Sequence, residues 1–304
     1  MEMHQLRYAV AVARTGNFSR AAEQCHVAQP SLSQQIQKLE EELGERLFDR
    51  MKRQTKLTPH GENFLRRAER ILEEVEAAKR DASEAGEAGE LLRGTLTVGV
   101  LPTIAPYLLP SAMIAFTKKF PGVKMVVHED TTARLLGLAC QCEIDLALAS
   151  EPLRDERFVV QELFSEELLL ALPPGHPLCH RRVIKPADLE VEKFIVMKEG
   201  HCLGEQVLHF CDRRDLQPKI SLRSAQLETI QSLVHAGLGI SLIPAMATKG
   251  ARREQPKYRS LHGPKPERKI VAAWPRQRPP NRAARELVAQ LRKRGAGKTS
   301  STLF

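Results

Sequence analysis

Two periodicities divide the chain. In the first eighty residues apolar positions recur at helical spacing. The segment NFSRAAEQCHVAQPSLSQQIQKLEEELGERLFDR, residues 17–50, predicts two helices separated by a very short break. Ser19 is placed to N-cap the first, and Ala21 and Ala22 give it a small-residue face that a second helix can approach closely. The second opens at Gln29-Pro30-Ser31, where proline is tolerated because a first-turn amide has no intrahelical partner. Leu32, Ile36, Leu39 and Leu43 follow at spacings of four, three and four, a single buried stripe. LFDRMKRQTKLT then reads as a two-stranded wing. Thr58-Pro59 starts a long helix whose apolar positions Phe64, Ala68, Ile71, Val75, Ala78 and Ala82 alternate four and three apart, as in a heptad seam.

Past SEAGEAGELLRG, a Gly-, Ala- and Glu-rich stretch that reads as a hinge, the pattern changes. Apolar strand-like runs at 96–100, 125–128, 144–149, 168–172, 194–197, 220–222, 240–243 and 270–274 alternate with helical segments. Buried runs alternating with helices predict an α/β fold with largely parallel sheets, and about 200 residues suffice for two subdomains with a cleft between them. The expected organisation is a winged helix-turn-helix domain at 1–60, a linker or dimerisation helix with hinge at 61–93, and an effector domain of two α/β subdomains at 94–304.

Composition narrows the function classes. A 42% hydrophobic content with 5% aromatic residues is that of an ordinary soluble protein, and no run approaches the 18 apolar residues of a membrane span. MEMHQLRYAV lacks a basic segment followed by an apolar run, so the expectation is a cytoplasmic protein that is neither secreted nor membrane-bound. The net charge of +9 belongs mainly to the tail: residues 1–60 carry +2, 61–248 carry −6 and 249–304 carry +13. Such a tail reads first as a solvated face, so DNA binding has to be argued from pattern.

The head supplies that pattern. Opposite its apolar stripe the second helix presents Gln29, Ser31, Ser33, Gln34, Gln37 and Lys38, side chains that hydrogen-bond base edges or phosphates from a helix in the major groove. Arg50, Lys52, Arg53 and Lys56 in the wing would reach phosphates beside it, giving affinity and register but little sequence choice. The seam on the long helix most simply pairs with a second copy, so that two heads meet two half-sites.

QPSLSQQIQKLEEELGERLFDR, the wing after it and the TPHG helix start resemble the LysR-type regulators, and the similarity runs through the whole chain. The resemblance implies a winged head, a dimerising linker helix and a two-lobed effector domain like a periplasmic solute-binding protein, assembled as a homodimer or homotetramer. It implies a double-stranded DNA operator as partner, with RNA polymerase as a further one. Leu101-Pro102-Thr103 followed by PYLLP, then HEDTTARLL and GHCLGEQVLHFC, resemble the peroxide-sensing branch of that family most closely.

Six cysteines bear on that branch. Cys25, Cys140, Cys142 and Cys179 read as structural thiols, and no cysteine or histidine pair has zinc-ligand spacing, so neither metal nor cofactor is expected. Cys202 would sit at a helix N-terminus beside His201, where the helix dipole favours thiolate, the form that peroxide oxidises to a sulfenic acid. Cys211 lies nine residues on, about 13 Å along a helix and on its opposite face, whereas a disulfide needs alpha carbons within about 7 Å. The resemblance implies a reversible Cys202–Cys211 switch, with Cys202 peroxidatic and Cys211 resolving. Hydrogen peroxide would be positioned by Thr103, Thr132 and His201, and a cellular dithiol protein would reset the switch. Geometry adds that the helix must unwind for the bond to form. Cys140, Cys142 and Cys179 remain alternative resolving partners. Gly204, two residues past Cys202, departs from the larger polar residue the resemblance favours. A regulator switched by a small molecule in the interlobe cleft is the alternative, and a thiol-dependent enzyme or a solute-binding protein would leave the head without a use.

Overall fold

A computed structural model of the 304-residue chain describes residues 1–50, 55–83, 92–214, 216–249 and 254–299. It forms two compact units, Met1–Glu90 and Leu91–Phe304.

The first unit runs α1 (Met3–Thr15), α2 (Phe18–Gln24), α3 (Gln29–Leu43), the antiparallel strands β1 (Phe48–Arg50) and β2 (Thr55–Leu57), and α4 (Pro59–Ser83). Its core joins Leu6, Ala9 and Val12 of α1 to Ala21 and Ala22 of α2, Leu32, Ile36 and Leu39 of α3, and Leu47 and Phe48. The cap of α2 is Asn17 rather than Ser19: Asn17 Oδ1 accepts from the amides of Ser19 and Arg20 at 2.8 and 3.1 Å. An amide oxygen two residues earlier reaches those first-turn donors, and Ser19 falls inside the helix. Leu43 leaves the predicted stripe because the helix ends at Gly44 (φ +71°), and its side chain is exposed. Thr58 caps α4, accepting from the Gly61 amide at 2.9 Å. Gly61 is obligatory there, since a Cβ would lie 2.1 Å from the Leu47 carbonyl oxygen. Of the predicted seam, Phe64 and Ala68 pack on this core with Leu65 and Leu72, whereas Ile71 is 40% exposed. The side chains of Ala78 and Ala82 lie outside the described part.

The second unit is a two-lobed α/β structure. It contains β3 (Gly94–Val100), α5 (Ala105–Lys119), β4 (Val123–Glu129), α6 (Thr132–Cys140), β5 (Leu146–Ser150), β6 (Phe158–Leu172), β7 (Lys193–Met197), α7 (Cys202–Asp212), β8 (Lys219–Ser224), α8 (Leu227–His235), β9 (Ser241–Pro244), β10 (Lys257–Arg259), β11 (Glu267–Pro275) and α9 (Arg282–Thr299). The sheet order is β10-β6-β11-β5-β3-β4, with β9 also paired to β6. One core gathers Val98, Leu146, Leu148, Val271 and Leu287, and the other Leu170, Phe194, Val207, Cys211, Val234 and Leu242.

The expectation of largely parallel sheets holds for β3 with β4 and β5 and for β7 with β8, but β6, β9, β10 and β11 pair antiparallel. The cause is the connection between lobes. β6 carries the chain out of the first lobe, pairing β11 along 158–167 and then β9 and β10 along 168–172, and β11 brings it back beside β6. The basic tail is more than a solvated face. Ala284, Leu287, Val288 and Leu291 of α9 are buried, and Arg268 of β11 is wholly so. Cys140 and Cys142 depart from a buried structural role: Cys140 ends α6, Cys142 follows it at φ +59°, and both are exposed. No described helix is long and apolar enough to cross a membrane.

Candidate functional site

Pro30, Ser31, Gln34, Gln37 and Lys38 line the exposed side of α3, recurring every three to four residues opposite Leu32, Ile36 and Leu39. Gln29 is exposed at its first turn and Ser33 is half-buried. Gln37 is engaged within the helix, donating to Glu41 Oε1 at 2.9 Å. Glu40, which the pattern did not single out, accepts from the amides of Leu47 and Phe48 at 2.8 and 3.1 Å and so fastens the wing to α3. In the wing Arg50 pairs across from Thr55 and Lys56 from Asp49. Lys52 and Arg53 lie outside the described residues.

The second constellation stands on the carboxyl edge of a parallel sheet, the edge at which ligands bind in open α/β folds. Because β3, β4 and β5 run the same way, the chain leaves all three there. Thr103 follows β3, Thr132 opens α6 after β4, and Ser150 ends β5. Thr103 is buried, and the Thr132 Oγ1 is buried with no hydrogen-bond partner among the described residues. His201 is the N-cap of α7, extended in backbone, with no side-chain cap bond.

Cys202 begins α7. The helix belongs to the second lobe, but Cys202 packs on the first-lobe core and its Sγ lies 3.1 Å from the Ser150 Oγ. Cys211, at the other end of the same helix, is 1% exposed in the second-lobe core. Burial, with the Asp212 carboxylate adding and Arg214 opposing, pushes its thiol up to about 11. The helix is continuous between them, so about 13 Å of axial rise and a half-turn keep the two sulfurs apart. Gly204 is buried because α7 approaches β7 closely: a Cβ there would meet the Met197 carbonyl oxygen at 2.8 Å.

Three further residues complete the site. Gln206, one turn past Cys202, donates to the Ser150 Oγ at 3.1 Å and to the Glu151 carbonyl at 2.5 Å. Arg268 donates from Nη1 and Nη2 to the Thr103 Oγ1 and carbonyl oxygen, both at 3.1 Å, and from Nε to Glu166 at 2.8 Å. The other Glu166 oxygen accepts from the Met246 amide at 2.8 Å. Helical spacing from Cys202 could have flagged Gln206. Nothing in an apolar strand ending in serine, or in one arginine among the tail's many cations, marked Ser150 or Arg268. Among the described residues no group of three or more His, Cys, Asp or Glu is placed to hold a metal ion.

The head of three helices and wing, joined to a two-lobed α/β body, is the architecture of a bacterial transcription regulator, and the chain belongs to the LysR family. Residues 3–62 match the regulatory helix-turn-helix domain of that family and residues 89–296 match its substrate-binding domain. The chain is thus a DNA-binding regulator rather than an enzyme. Within the family it resembles OxyR. It is 36% identical over 291 residues to the DNA-binding transcriptional dual regulator OxyR of Escherichia coli K12, covering 95% of this chain and 94% of that one. A full-length cysteine-to-aspartate variant of OxyR from Pseudomonas aeruginosa superposes with a TM-score of 0.68 at 31% identity, over 96% and 95% of the two chains. A hydrogen-peroxide-bound cysteine-to-serine variant of Corynebacterium glutamicum OxyR does so with 0.67 at 29%, over 98% and 93%.

Proposed function

We propose that this regulator senses hydrogen peroxide through Cys202 and stores the signal as a reversible Cys202–Cys211 disulfide. The observation that carries the reading is the placement of the two thiols: one helix holds both, and each faces a different lobe. The Cys202 thiolate attacks one peroxide oxygen, the O–O bond breaks, and hydroxide leaves to be protonated to water, giving the sulfenic acid. The Cys211 sulfur then attacks the oxidised sulfur, the S–O bond breaks, and a second water leaves with the disulfide formed. A dithiol protein returns the two electrons by exchange.

Thr103 and Thr132 suit a small hydroxylic ligand. Thr103 accepts from Arg268, which leaves its own proton to donate, and Thr132 has a buried hydroxyl with no described partner. His201 adjoins the sulfur in sequence. Because α7 must unwind before the sulfurs meet, oxidation withdraws Cys202 from the first lobe and repacks the junction. In the head, α3 reads the operator through Gln29, Ser31, Ser33, Gln34, Gln37 and Lys38, with Arg50, Lys52 and Arg53 on phosphates. The exposed Ile71 supports pairing of α4 with a second copy, in a homodimer or a tetramer built from it. RNA polymerase would then be met at the promoter.

Mass spectrometry of trapped thiols tests the reading. One equivalent of peroxide for seconds should give a Cys202–Cys211 crosslink that dithiol reverses and that Cys202→Ser lacks. If both thiols stay free while Cys140 and Cys142 react, the peroxide reading fails and a metabolite at the interlobe junction takes its place.

A further inference from the structure

We infer that Ser150 is the hydrogen-bond donor to the reacting sulfur of Cys202, and that Gln206 is the positioning residue that holds the serine proton on that sulfur. The inference rests on the reading of Cys202 as the peroxide-reactive thiol.

The proton assignment follows from what each group can do. The Glu151 carbonyl only accepts, so the Gln206 atom 2.5 Å from it must be the amide nitrogen; the opposite orientation would set two acceptors face to face. The same nitrogen has a second N–H, which goes to the Ser150 Oγ at 3.1 Å. A serine hydroxyl has one proton and two lone pairs. With one lone pair occupied by Gln206, its proton is left to point along the remaining short contact, toward the Cys202 Sγ at 3.1 Å. An ionised sulfur has no proton of its own and accepts it, and a hydrogen bond to an ionised acceptor is among the stronger ones. The arrangement thus complements thiolate, and its donor is shielded from competing water because Ser150 is 1% exposed.

The bond also crosses between lobes. Ser150 ends β5 in the first lobe, whereas Cys202 and Gln206 lie on α7 of the second. Gln206 sits four residues past Cys202, on the same face of the helix, so the two side chains engage the end of β5 together. Withdrawal of the sulfur breaks the activating contact and a tie between lobes in one event.

Full-length Ser150→Ala and Gln206→Glu proteins test this. The first removes the donor in a nearly isosteric way, and the second replaces the N–H donors with a carboxylate that draws the serine proton to itself. Two quantities are read at neutral pH: the ultraviolet thiolate absorbance of Cys202, as the difference from the matching Cys202→Ser protein, and the second-order rate constant with hydrogen peroxide. Both variants should show a weaker thiolate signal than wild type and react about tenfold more slowly, the ratio expected of one charge-assisted hydrogen bond. Ser150→Thr, which keeps the hydroxyl, should restore the absorbance. An unchanged thiolate signal in both Ser150→Ala and Gln206→Glu overturns the inference while leaving the peroxide reading intact. A wild-type protein that forms no crosslink removes the peroxide reading, and the absorbance comparison still decides whether Ser150 donates to the sulfur.

Discussion

Removing Glu166 should destabilise the effector unit far more than an ordinary surface ion pair would. The Arg268 side chain is 0% exposed and that of Glu166 8%. Glu166 uses both oxygens, one on Arg268 Nε and one on the Met246 amide, each at 2.8 Å. Glu166→Ala leaves a buried guanidinium with only the Thr103 oxygens as partners among the described residues, and orphans a backbone amide as well. Breaking a buried pair by deleting one partner costs about 3–5 kcal/mol, whereas replacing both partners by apolar groups of similar volume is often neutral. For a unit of this size each kcal/mol lowers the unfolding midpoint by about 2–4 °C, so a fall of roughly 6–20 °C is expected. Denaturant unfolding of wild type, Glu166→Ala, and the paired Glu166→Leu and Arg268→Met variant completes the measurement, with the paired variant recovering the part due to the unpaired buried charge and not that of the Met246 amide. A single-variant loss below about 1 kcal/mol, or a paired variant no better than the single, would refute the assignment of this pair as a desolvated and mutually dependent one.

Replacing Arg50 and Arg53 by Ala should weaken operator binding across all sequences and flatten its dependence on salt, whereas Gln34→Ala should change base preference with the salt slope kept; footprints read at several salt concentrations separate the two. Ile71→Glu places a charge on the exposed side of α4 and should lower the molecular mass seen by light scattering at low concentration, and an unchanged mass counts against the seam. Cys211 makes stability depend on alkaline pH. Its folded value of about 11 exceeds the ordinary 9.0, so its contribution is full below pH 9 and disappears as pH rises toward 11. The loss relative to Cys211→Ala is on the order of 2–3 kcal/mol, and identical pH profiles for the two proteins would contradict it.

Much of the head was legible because its signals are local. A first-turn proline, a Thr-Pro helix start and a 3.6-residue stripe each constrain a few neighbouring residues, and they placed α3 and α4 correctly. The cap of α2 went to the wrong residue because Asn17 and Ser19 are both good caps and only the backbone decides between them. In the body, strands buried on both faces showed as apolar runs. The first half of β6 escaped because Gln161, Glu162, Ser165, Glu166 and Glu167 interrupt its apolar run, and β10 because three residues carry no period. Helix α9 was hidden by its own charge: arginine and lysine cover the faces that Leu287, Val288 and Leu291 do not. In the site, Cys202, His201 and Cys211 stood out through their spacing and the resemblance. Ser150, Arg268 and Glu166 did not, since they come to the site from strands 50 to more than 100 residues away from their partners.

The stability of α7 is divided unevenly along its length. Cys211, Val207 and Phe210 bury its second half in one core, to which the first turn adds Leu203. Its first turn holds Gly204, which costs about 1 kcal/mol relative to alanine in a helix and yet cannot be exchanged, because the Met197 carbonyl leaves no room for a Cβ. What fastens that end from the first lobe is polar and specific: Ser150 to the Cys202 sulfur, and Gln206 to Ser150 and Glu151. In the proposed switch, chemistry occurs at the very atom that one of these bonds requires. A sulfur carrying a hydroxyl no longer fits a 3.1 Å contact, and once it leaves, the first turn loses its ties to the first lobe and keeps Leu203 as its apolar anchor in the second. The glycine that permits close packing in the reduced state thus also lowers the cost of unwinding toward Cys211, which makes the N-terminal turn of α7 the natural place for the helix to open first.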